Sequence, residues 1–246
     1  MTGGPGLVLV TRPEPDASAT VARLAALGHP ALAAPLLRVI RTPLRLPAPG
    51  AVQALVVGSL NAVRRLPARF RGVPLLAVGD ATAAAARAAG FARVASARGD
   101  ARDLAALAAR ECEPSGKPLL LAAGKGAGGP LATDLRARGF RVIRRVVYAT
   151  RPLPRLPAAA REALACGRVS AVTFFSGGPA RVFGRVARAA RVAHTLGGVT
   201  ALAISPAVAA RVAPLGFGRV LTAARPDQES LLALLGRPGT TRRGGG

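Results

Sequence analysis

Side chains that commonly carry acid–base or nucleophilic chemistry are scarce in this sequence. Its 246 residues include only two histidines, His29 and His194, and a single tyrosine. His29 follows a predicted helix and His194 stands in an arginine-rich segment, so neither suggests a catalytic triad. Tyr148 differs because it ends a predicted strand beside a proline-rich stretch. Its phenol either faces a cleft, where it can donate a proton, or packs between elements with its hydroxyl satisfied.

A second group of candidates stands where predicted strands lead into helices. In open α/β sheets ligands bind beyond the carboxyl ends of the strands, and the free N–H groups of helix N-termini favour anions. Several such turns facing one cleft suit a ligand with several carboxylates or phosphates. The alternative is that each is a simple cap or turn. These small, polar or cationic residues are Thr11, Arg12, Ser59, Thr82, Lys125, Gly126, Ser176, Gly177, Gly178, Ser205 and Ala207.

One glycine-rich turn formally matches a dinucleotide motif. Residues 124–129 read GKGAGG after a predicted strand, as in G-x-G-x-x-G. Such a site also needs an acidic residue about 20 positions later, where this chain has Arg144, Arg145 and Tyr148. A plain glycine-rich turn is therefore favoured over nucleotide binding.

The elements that must position these residues alternate between strands and helices. A strand over 7–10 is followed by a helix over 17–27, capped by Asp16, and by a strand over 31–34. The same order recurs over 119–123, 130–138 and 141–148. Alternation of this kind predicts an α/β fold with parallel sheets flanked by helices.

An internal duplication predicts two similar lobes. Residues 78–94 (VGDATAAAARAAGFARV) align without a gap with residues 204–220 (ISPAVAARVAPLGFGRV). Proline-rich stretches over 35–49 and 151–157 bracket a block of domain size. We therefore expect lobe 1 to comprise residues 1–36 and 156–236, and lobe 2 residues 51–148. Residues 37–50 and 149–155 form a two-stranded linker, and 237–246 form a disordered tail.

Charge and composition indicate which classes of partner the protein is expected to bind. The net charge is +24, yet only two of the 35 cationic residues are lysines, which is typical of a compositional bias spread over the surface. The eight aromatic residues are too few for a base-stacking platform, so a polyanionic small molecule is favoured over nucleic acid. No apolar run approaches the roughly 18 residues of a membrane span, no signal peptide is predicted, and the two cysteines lack metal-ligand spacing. We expect a cytoplasmic protein without a metal site and without membrane association.

Loose motifs in a specific order resemble those of the uroporphyrinogen-III synthase family, over most of residues 7–235. They read VTRP at 10–13, LAALGHPALAAP at 24–35, VGS at 57–59 with Asn61, VGDAT at 78–82, GF at 139–140 with VYAT at 147–150, FFS at 174–176, ISPA at 204–207 and GF at 216–217.

The resemblance implies an activity and roles for the candidate residues. Members convert the linear tetrapyrrole hydroxymethylbilane to uroporphyrinogen III, inverting the terminal ring and releasing water, so the chain would be a hydro-lyase. No cofactor is implied, and members are typically cytoplasmic monomers. Tyr148 matches the best candidate for a catalytic tyrosine, and the turn residues with Asn61 match substrate-binding positions.

Four positions depart from the family pattern, namely Val208, Ser205, Gly177 and Ala123. They leave open a second hypothesis, a non-catalytic two-lobed module that keeps the fold and binds anions or regulates. A third hypothesis, nucleic-acid binding driven by the arginine excess, requires steep salt dependence of duplex affinity.

Overall fold

The structure, a computed structural model, describes residues 6–236, which contain eleven strands and nine α-helices. The predicted tail over 237–246 lies outside them. The strands are β1 (Leu7–Val10), β2 (Ala31–Ala33), β3 (Leu37–Arg41), β4 (Ala54–Val57), β5 (Leu75–Ala77), β6 (Val94–Ser96), β7 (Leu119–Gly124), β8 (Val142–Pro152), β9 (Val169–Phe174), β10 (Thr200–Ala203) and β11 (Arg219–Thr222). The helices are α1 (Asp16–Ala26), α2 (Leu60–Val63), α3 (Asp80–Ala88), α4 (Ala101–Glu111), α5 (Gly129–Ala137), α6 (Ala158–Ala165), α7 (Gly177–Ala189), α8 (Pro206–Val212) and α9 (Gln228–Leu232).

The chain divides into two compact units. Of the described residues, 6–38 and 151–236 form unit 1, and Val39–Thr150 form unit 2. Unit 1 contains a five-stranded sheet in the order β11-β10-β9-β1-β2, with every neighbouring pair parallel. The predicted α/β class, with two similar lobes each built on a parallel sheet flanked by helices, is confirmed.

Unit 2 carries most of a six-stranded sheet in the order β3-β8-β7-β4-β5-β6. Strands β8, β7, β4, β5 and β6 are mutually parallel, and β3 is hydrogen-bonded to the outer side of β8. Both segments predicted as linkers therefore contain paired strand, since β3 covers Leu37–Arg41 and β8 continues to Pro152. The predicted boundaries of the lobes and linkers stay a prediction.

Successive side chains along a strand point to opposite faces of the sheet, and apolar residues on both faces explain why both are covered. In β1, Leu9 belongs to one hydrophobic cluster whereas Val8 and Val10 belong to another. The first cluster includes Phe174 and Phe183, whose ring centroids lie 5.6 Å apart at right angles. Parallel sheets need this burial on both faces, and the helices supply it.

The duplicated segments fold alike in the two units. Each consists of a short helix, α3 or α8, and an edge strand, β6 or β11, separated by a glycine-phenylalanine pair. Gly90 and Gly216 have φ of 88° and 84°, a left-handed conformation that side chains rarely adopt. The following Phe91 and Phe217 are both buried. The repeat is therefore a supersecondary unit that ends each sheet.

A testable consequence concerns Asp227, whose carboxylate caps α9 by accepting the Ser230 amide hydrogen at 2.7 Å. Burial alone would raise the pKa of Asp227, but hydrogen bonds from the Ser230 backbone and hydroxyl, with the nearby Arg225 charge, outweigh it and lower the pKa. A pKa that is lower in the folded state stabilises the fold at pH values above the pKa of the unfolded chain, which is about 4. This contribution is lost as the pH falls through the pKa of the folded state.

We expect Asp227→Asn to retain the cap oxygen but lose this pH dependence. At pH 7 the variant should be less stable by about 0.5 kcal/mol, because the side chain is 42% exposed and solvent screens the charge. The difference from wild type should shrink below pH 4. Denaturant unfolding at pH 7, 4 and 3 measures it; a difference independent of pH would contradict the assigned charge effect.

Candidate functional site

A cavity of about 260 Å³ opens at the carboxyl edge of the unit 2 sheet. Its wall is mostly apolar, and the hydroxyl groups of Ser59 and Tyr148 are its polar side-chain groups. Concave sites that combine an apolar wall with a few polar groups are typical of small-molecule binding. The lining residues are Gly58, Ser59, Val78, Ala101, Leu104, Leu121, Ala122, Ala123, Gly124, Ala127, Gly128, Pro130, Leu131 and Tyr148.

Two predicted site residues meet in this cavity. The Oγ atom of Ser59 lies 3.1 Å from the phenolic oxygen of Tyr148, and either atom can be the donor. Ser59 is also the N-cap of α2, where its Oγ accepts the Ala62 amide hydrogen at 3.2 Å. One serine therefore connects the start of a helix to the phenol.

A β-bulge between β7 and β8 positions Tyr148. The register pairs Ala123 with Val146 but Gly124 with Tyr148, so Val147 is the extra residue. Val147 and Tyr148 pack against the same hydrophobic cluster, although neighbours in a regular strand face opposite sides. A bulge of this kind re-aims a side chain, which is common beside active sites.

The bulge has its own hydrogen-bond partners. The guanidinium of Arg65 donates from Nε to the Val147 carbonyl and from Nη2 to the Thr42 carbonyl, each at 3.1 Å. The Lys125 amide donates to the Tyr148 carbonyl at 2.8 Å. A bulge interrupts the ladder of the sheet, and these contacts satisfy carbonyls beside it. Sequence reasoning missed Arg65, whose spacing from the tyrosine gives no local signal.

Gly124 provides the surface against which the phenol ring lies. A Cβ atom at this position would stand 2.7 Å from the Cζ atom of Tyr148, closer than real Cβ contacts allow. The absence of a side chain thus sets the ring position. Packing against the Tyr148 ring therefore explains why one residue of the glycine-rich turn, Gly124, has no side chain.

The other predicted residues of unit 2 take different positions. The Lys125 side chain and Gly126 are exposed beyond β7, and Gly126 has a φ of 78°. Asn61 lies in α2, and its Oδ1 accepts from Arg64 at 3.3 Å. Thr82 is 6% exposed in the first turn of α3, so it presents little side-chain surface.

In unit 1, Thr11 and Arg12 follow β1 and are largely engaged by their own unit. Thr11 is fully buried, and its hydroxyl donates to the Thr173 carbonyl at 2.6 Å. The Arg12 guanidinium lies 4.3 Å above the Phe175 ring and donates to Gln228 Oε1 at 2.8 Å. Substrate binding by these two residues stays a prediction, and the contacts observed here stabilise the unit.

The remaining unit 1 candidates stand at the starts of two helices. Ser176 and Ser205 are the residues before α7 and α8, and neither hydroxyl forms a capping hydrogen bond. Gly178 follows Gly177 in the first turn of α7, and a Cβ atom at Gly177 would collide with the Arg211 guanidinium. Arg211 is a cation that sequence reasoning did not single out, because only the packing of α8 against α7 brings it there. Ala207 is exposed in the first turn of α8.

The histidines and cysteines lie away from the cavity lining. His29 and His194 are not among its residues, and within residues 6–236 no cluster of three His, Cys, Asp or Glu could hold a metal ion. Burial, followed by the charges of Glu111 and Glu113, raises the pKa of the Cys112 thiol to about 11. A thiol with this pKa is a poor nucleophile at neutral pH.

The fold and the cavity define an α/β protein of two sheet-based units, one of which has a cavity of the kind that small molecules occupy. Two solved structures share the fold. The uroporphyrinogen-III synthetase of Helicobacter pylori is 21% identical, with 94% of this chain and 97% of that chain covered and a TM-score of 0.59. A mutant uroporphyrinogen III synthase of Thermus thermophilus is 22% identical, with 94% and 98% covered and a TM-score of 0.52.

A family model, uroporphyrinogen-III synthase HemD, matches residues 18–233. The chain belongs to the uroporphyrinogen-III synthase family. A search of curated protein sequences finds no match. Among the helices of residues 6–236, none combines the length and apolar character needed to cross a bilayer.

We expect Gly124→Ala to displace the Tyr148 ring, because the added methyl group would overlap it. The free energy of unfolding should fall by about 2 kcal/mol through overpacking. Tyr148 is the only tyrosine and the chain has no tryptophan, so its near-UV circular dichroism band near 280 nm reports this ring alone. Gly58→Ala is the matched control, since a Cβ there meets no atom within 4 Å. An unchanged tyrosine band in Gly124→Ala would refute the contact.

We expect Arg12→Ala to act mainly on stability. It removes a cation 3.6 Å from the mostly buried Asp16 carboxylate, together with the Phe175 and Gln228 contacts, and should lower the free energy of unfolding by about 2 kcal/mol. Arg23→Ala, which breaks an exposed ion pair with Glu229, should have a much smaller effect. A raised KM with unchanged stability in Arg12→Ala would instead identify a substrate ligand.

Proposed function

We propose that this chain is a uroporphyrinogen-III synthase, which cyclises hydroxymethylbilane to uroporphyrinogen III with inversion of the terminal pyrrole ring and loss of water. The observation that carries the proposal is the family match over residues 18–233. The Tyr148 phenol in the wall of a cavity supports it, because the reaction needs a proton donor next to a bound organic substrate.

The physical demand of this reaction is mainly geometric. The linear tetrapyrrole closes without an enzyme, but to the wrong isomer, so the protein must favour bond formation at the substituted carbon of the terminal ring. Holding the reacting atoms in that geometry is worth several kcal/mol, on the order of what proximity gives other enzymes. Selectivity then follows from stabilising one of two transition states more than the other.

Tyr148 is the proposed acid. Its phenolic proton passes to the terminal hydroxyl group. The carbon–oxygen bond breaks and water leaves, while electrons of the adjacent pyrrole form a double bond to the methylene carbon. The substituted carbon of the terminal ring then attacks the methylene carbon that lost the hydroxyl group, giving a spiro intermediate. The older bond from this ring carbon to the methylene of the neighbouring ring breaks, and that methylene bonds to the unsubstituted carbon of the terminal ring, which inverts the ring. The phenolate recovers a proton when the last pyrrole becomes aromatic again. Protons and electrons therefore balance, with water as the only by-product.

The turn residues at the carboxyl edges of the sheets are proposed to bind substrate carboxylates. The substrate carries eight carboxylates, and the chain has a net charge of +24 that attracts such an anion. In unit 2 the exposed Lys125 side chain and the backbone at Gly126 are suited to this role, and Asn61 and Thr82 are proposed together with them. In unit 1 the proposed residues are Thr11, Arg12, Ser176, Gly177, Gly178, Ser205 and Ala207.

We also assign the chain to the hydro-lyases, acting without a cofactor as a cytoplasmic monomer. The reaction as written consumes only the substrate, which supports the absence of a co-reactant. Cys112 and Cys166 are free thiols, which is typical of a reducing compartment.

The test is the ratio of isomer III to isomer I formed from freshly prepared hydroxymethylbilane, measured by chromatography after oxidation. Wild-type protein should give mainly isomer III. Tyr148→Phe, which keeps the ring but removes the proton, should lower kcat by about 100-fold with little change in KM. Only isomer I, formed at the spontaneous rate, would overturn the enzymatic function and favour a binding module of the same fold. Full activity in Tyr148→Phe would overturn the acid role alone.

A further inference from the structure

The hydrogen bond between Ser59 and Tyr148 joins two hydroxyl groups, so its direction is chemically significant. A serine hydroxyl has one hydrogen and two lone pairs. One lone pair of Ser59 Oγ accepts the Ala62 amide hydrogen at 3.2 Å, and the phenolic oxygen of Tyr148 lies 3.1 Å away. Either Ser59 donates its hydrogen to the phenol, or it accepts the phenolic hydrogen with its second lone pair.

The surroundings favour donation by Ser59. Among the described residues, the phenolic oxygen of Tyr148 is the acceptor with which the Ser59 hydroxyl can pair at 3.1 Å, since the Ala62 amide is a donor. The phenolic hydrogen has another possible direction, because Tyr148 and Ser59 both line the cavity. When the phenol donates its single hydrogen to a substrate hydroxyl in the cavity, that hydrogen is no longer available to Ser59, so the bond between the two residues then requires Ser59 to donate.

We propose that Ser59 is a positioning residue that donates to the phenolic oxygen of Tyr148 and so directs the phenolic hydrogen into the cavity. The inference rests on the proposed function, since a proton aimed into the cavity matters when a substrate hydroxyl must leave. It differs from the sequence-based expectation, in which Ser59 binds a substrate carboxylate. The Gly124 contact fixes the ring, and Ser59 fixes the rotation of its hydroxyl group.

The sequence makes this bond directly observable. Tyr148 is the only tyrosine, so the tyrosine Fermi doublet in an ultraviolet resonance Raman spectrum arises from one phenol. The intensity ratio of the doublet distinguishes a phenol that accepts a hydrogen bond from one that only donates. The spectrum of the free wild-type protein should have the ratio of an accepting phenol.

Three variants separate donation from helix capping. Ser59→Ala removes both functions, Ser59→Thr keeps both, and Asp227→Ala removes the cap of α9 in unit 1 and serves as the matched control for lost stability. Ser59→Ala should lower kcat for isomer III about tenfold, the effect of one hydrogen bond, with KM within about twofold. Its doublet should shift towards that of a donating phenol. Ser59→Thr should restore both values, and Asp227→Ala should change neither.

Each outcome decides the proposal. A doublet that is the same in wild type and Ser59→Ala overturns it, as does a raised KM with unchanged kcat, which would identify a substrate ligand. A loss of kcat in Asp227→Ala equal to that in Ser59→Ala would show that the Ser59→Ala effect comes from lost stability, and it would also overturn the proposal. If wild-type protein forms only isomer I, the proposed function fails. The doublet still shows whether the bond exists, so the two failures are distinguishable.

Discussion

The contact between Gly124 and the Tyr148 ring is the constraint on which the site depends. It requires that β7 end in a residue without a side chain and that β8 contain a bulge at the same level. The bulge in turn requires a donor for the Val147 carbonyl, which Arg65 supplies. A glycine, a bulge and a distant arginine therefore act together to place one phenol.

The arginine excess has structural uses that the composition alone hides. Arg144 donates to the Ala127 carbonyl of the glycine-rich turn, and Arg145 donates to the Arg45 carbonyl. Arg93 and Arg141 contact the carbonyls of Gly72 and Gly116. A guanidinium has five N–H donors, which suits it to satisfy carbonyls in loops and at strand ends. These arginines stabilise connections while their charge still adds to the field that attracts an anion.

The scarcity of titratable groups in the cavity wall fits a reaction controlled by geometry. The cavity wall is mostly apolar, with two hydroxyl groups close together, and the strongly shifted Cys112 thiol lies outside it. An apolar wall excludes water, which strengthens the hydrogen bonds inside it. Such a site is suited to hold one substrate conformation and to supply one proton.

The sequence by itself determined the fold class, the two similar lobes and the family. Strand–helix alternation and an internal repeat are local patterns, and they survive in a divergent sequence because each sheet needs them for burial. Its placement of Tyr148 at a strand end is wrong, because β8 continues past this residue to Pro152. The sequence pattern predicts the start of α1 one residue too late. Asp16, predicted as the cap, is the first residue of α1 and lies near Arg12.

Only the tertiary structure decided which candidates meet. Ser59 and Tyr148 are 89 positions apart, and their hydrogen bond exists because β4 and β8 flank β7 in one sheet. The bulge, the Arg65 contact and the burial of Thr11 likewise depend on neighbours distant in sequence. Spacing along a chain gives periodicity, which fixes helices and strands, but contacts across a sheet depend on strand order and register. Those are set by the packing of the whole core.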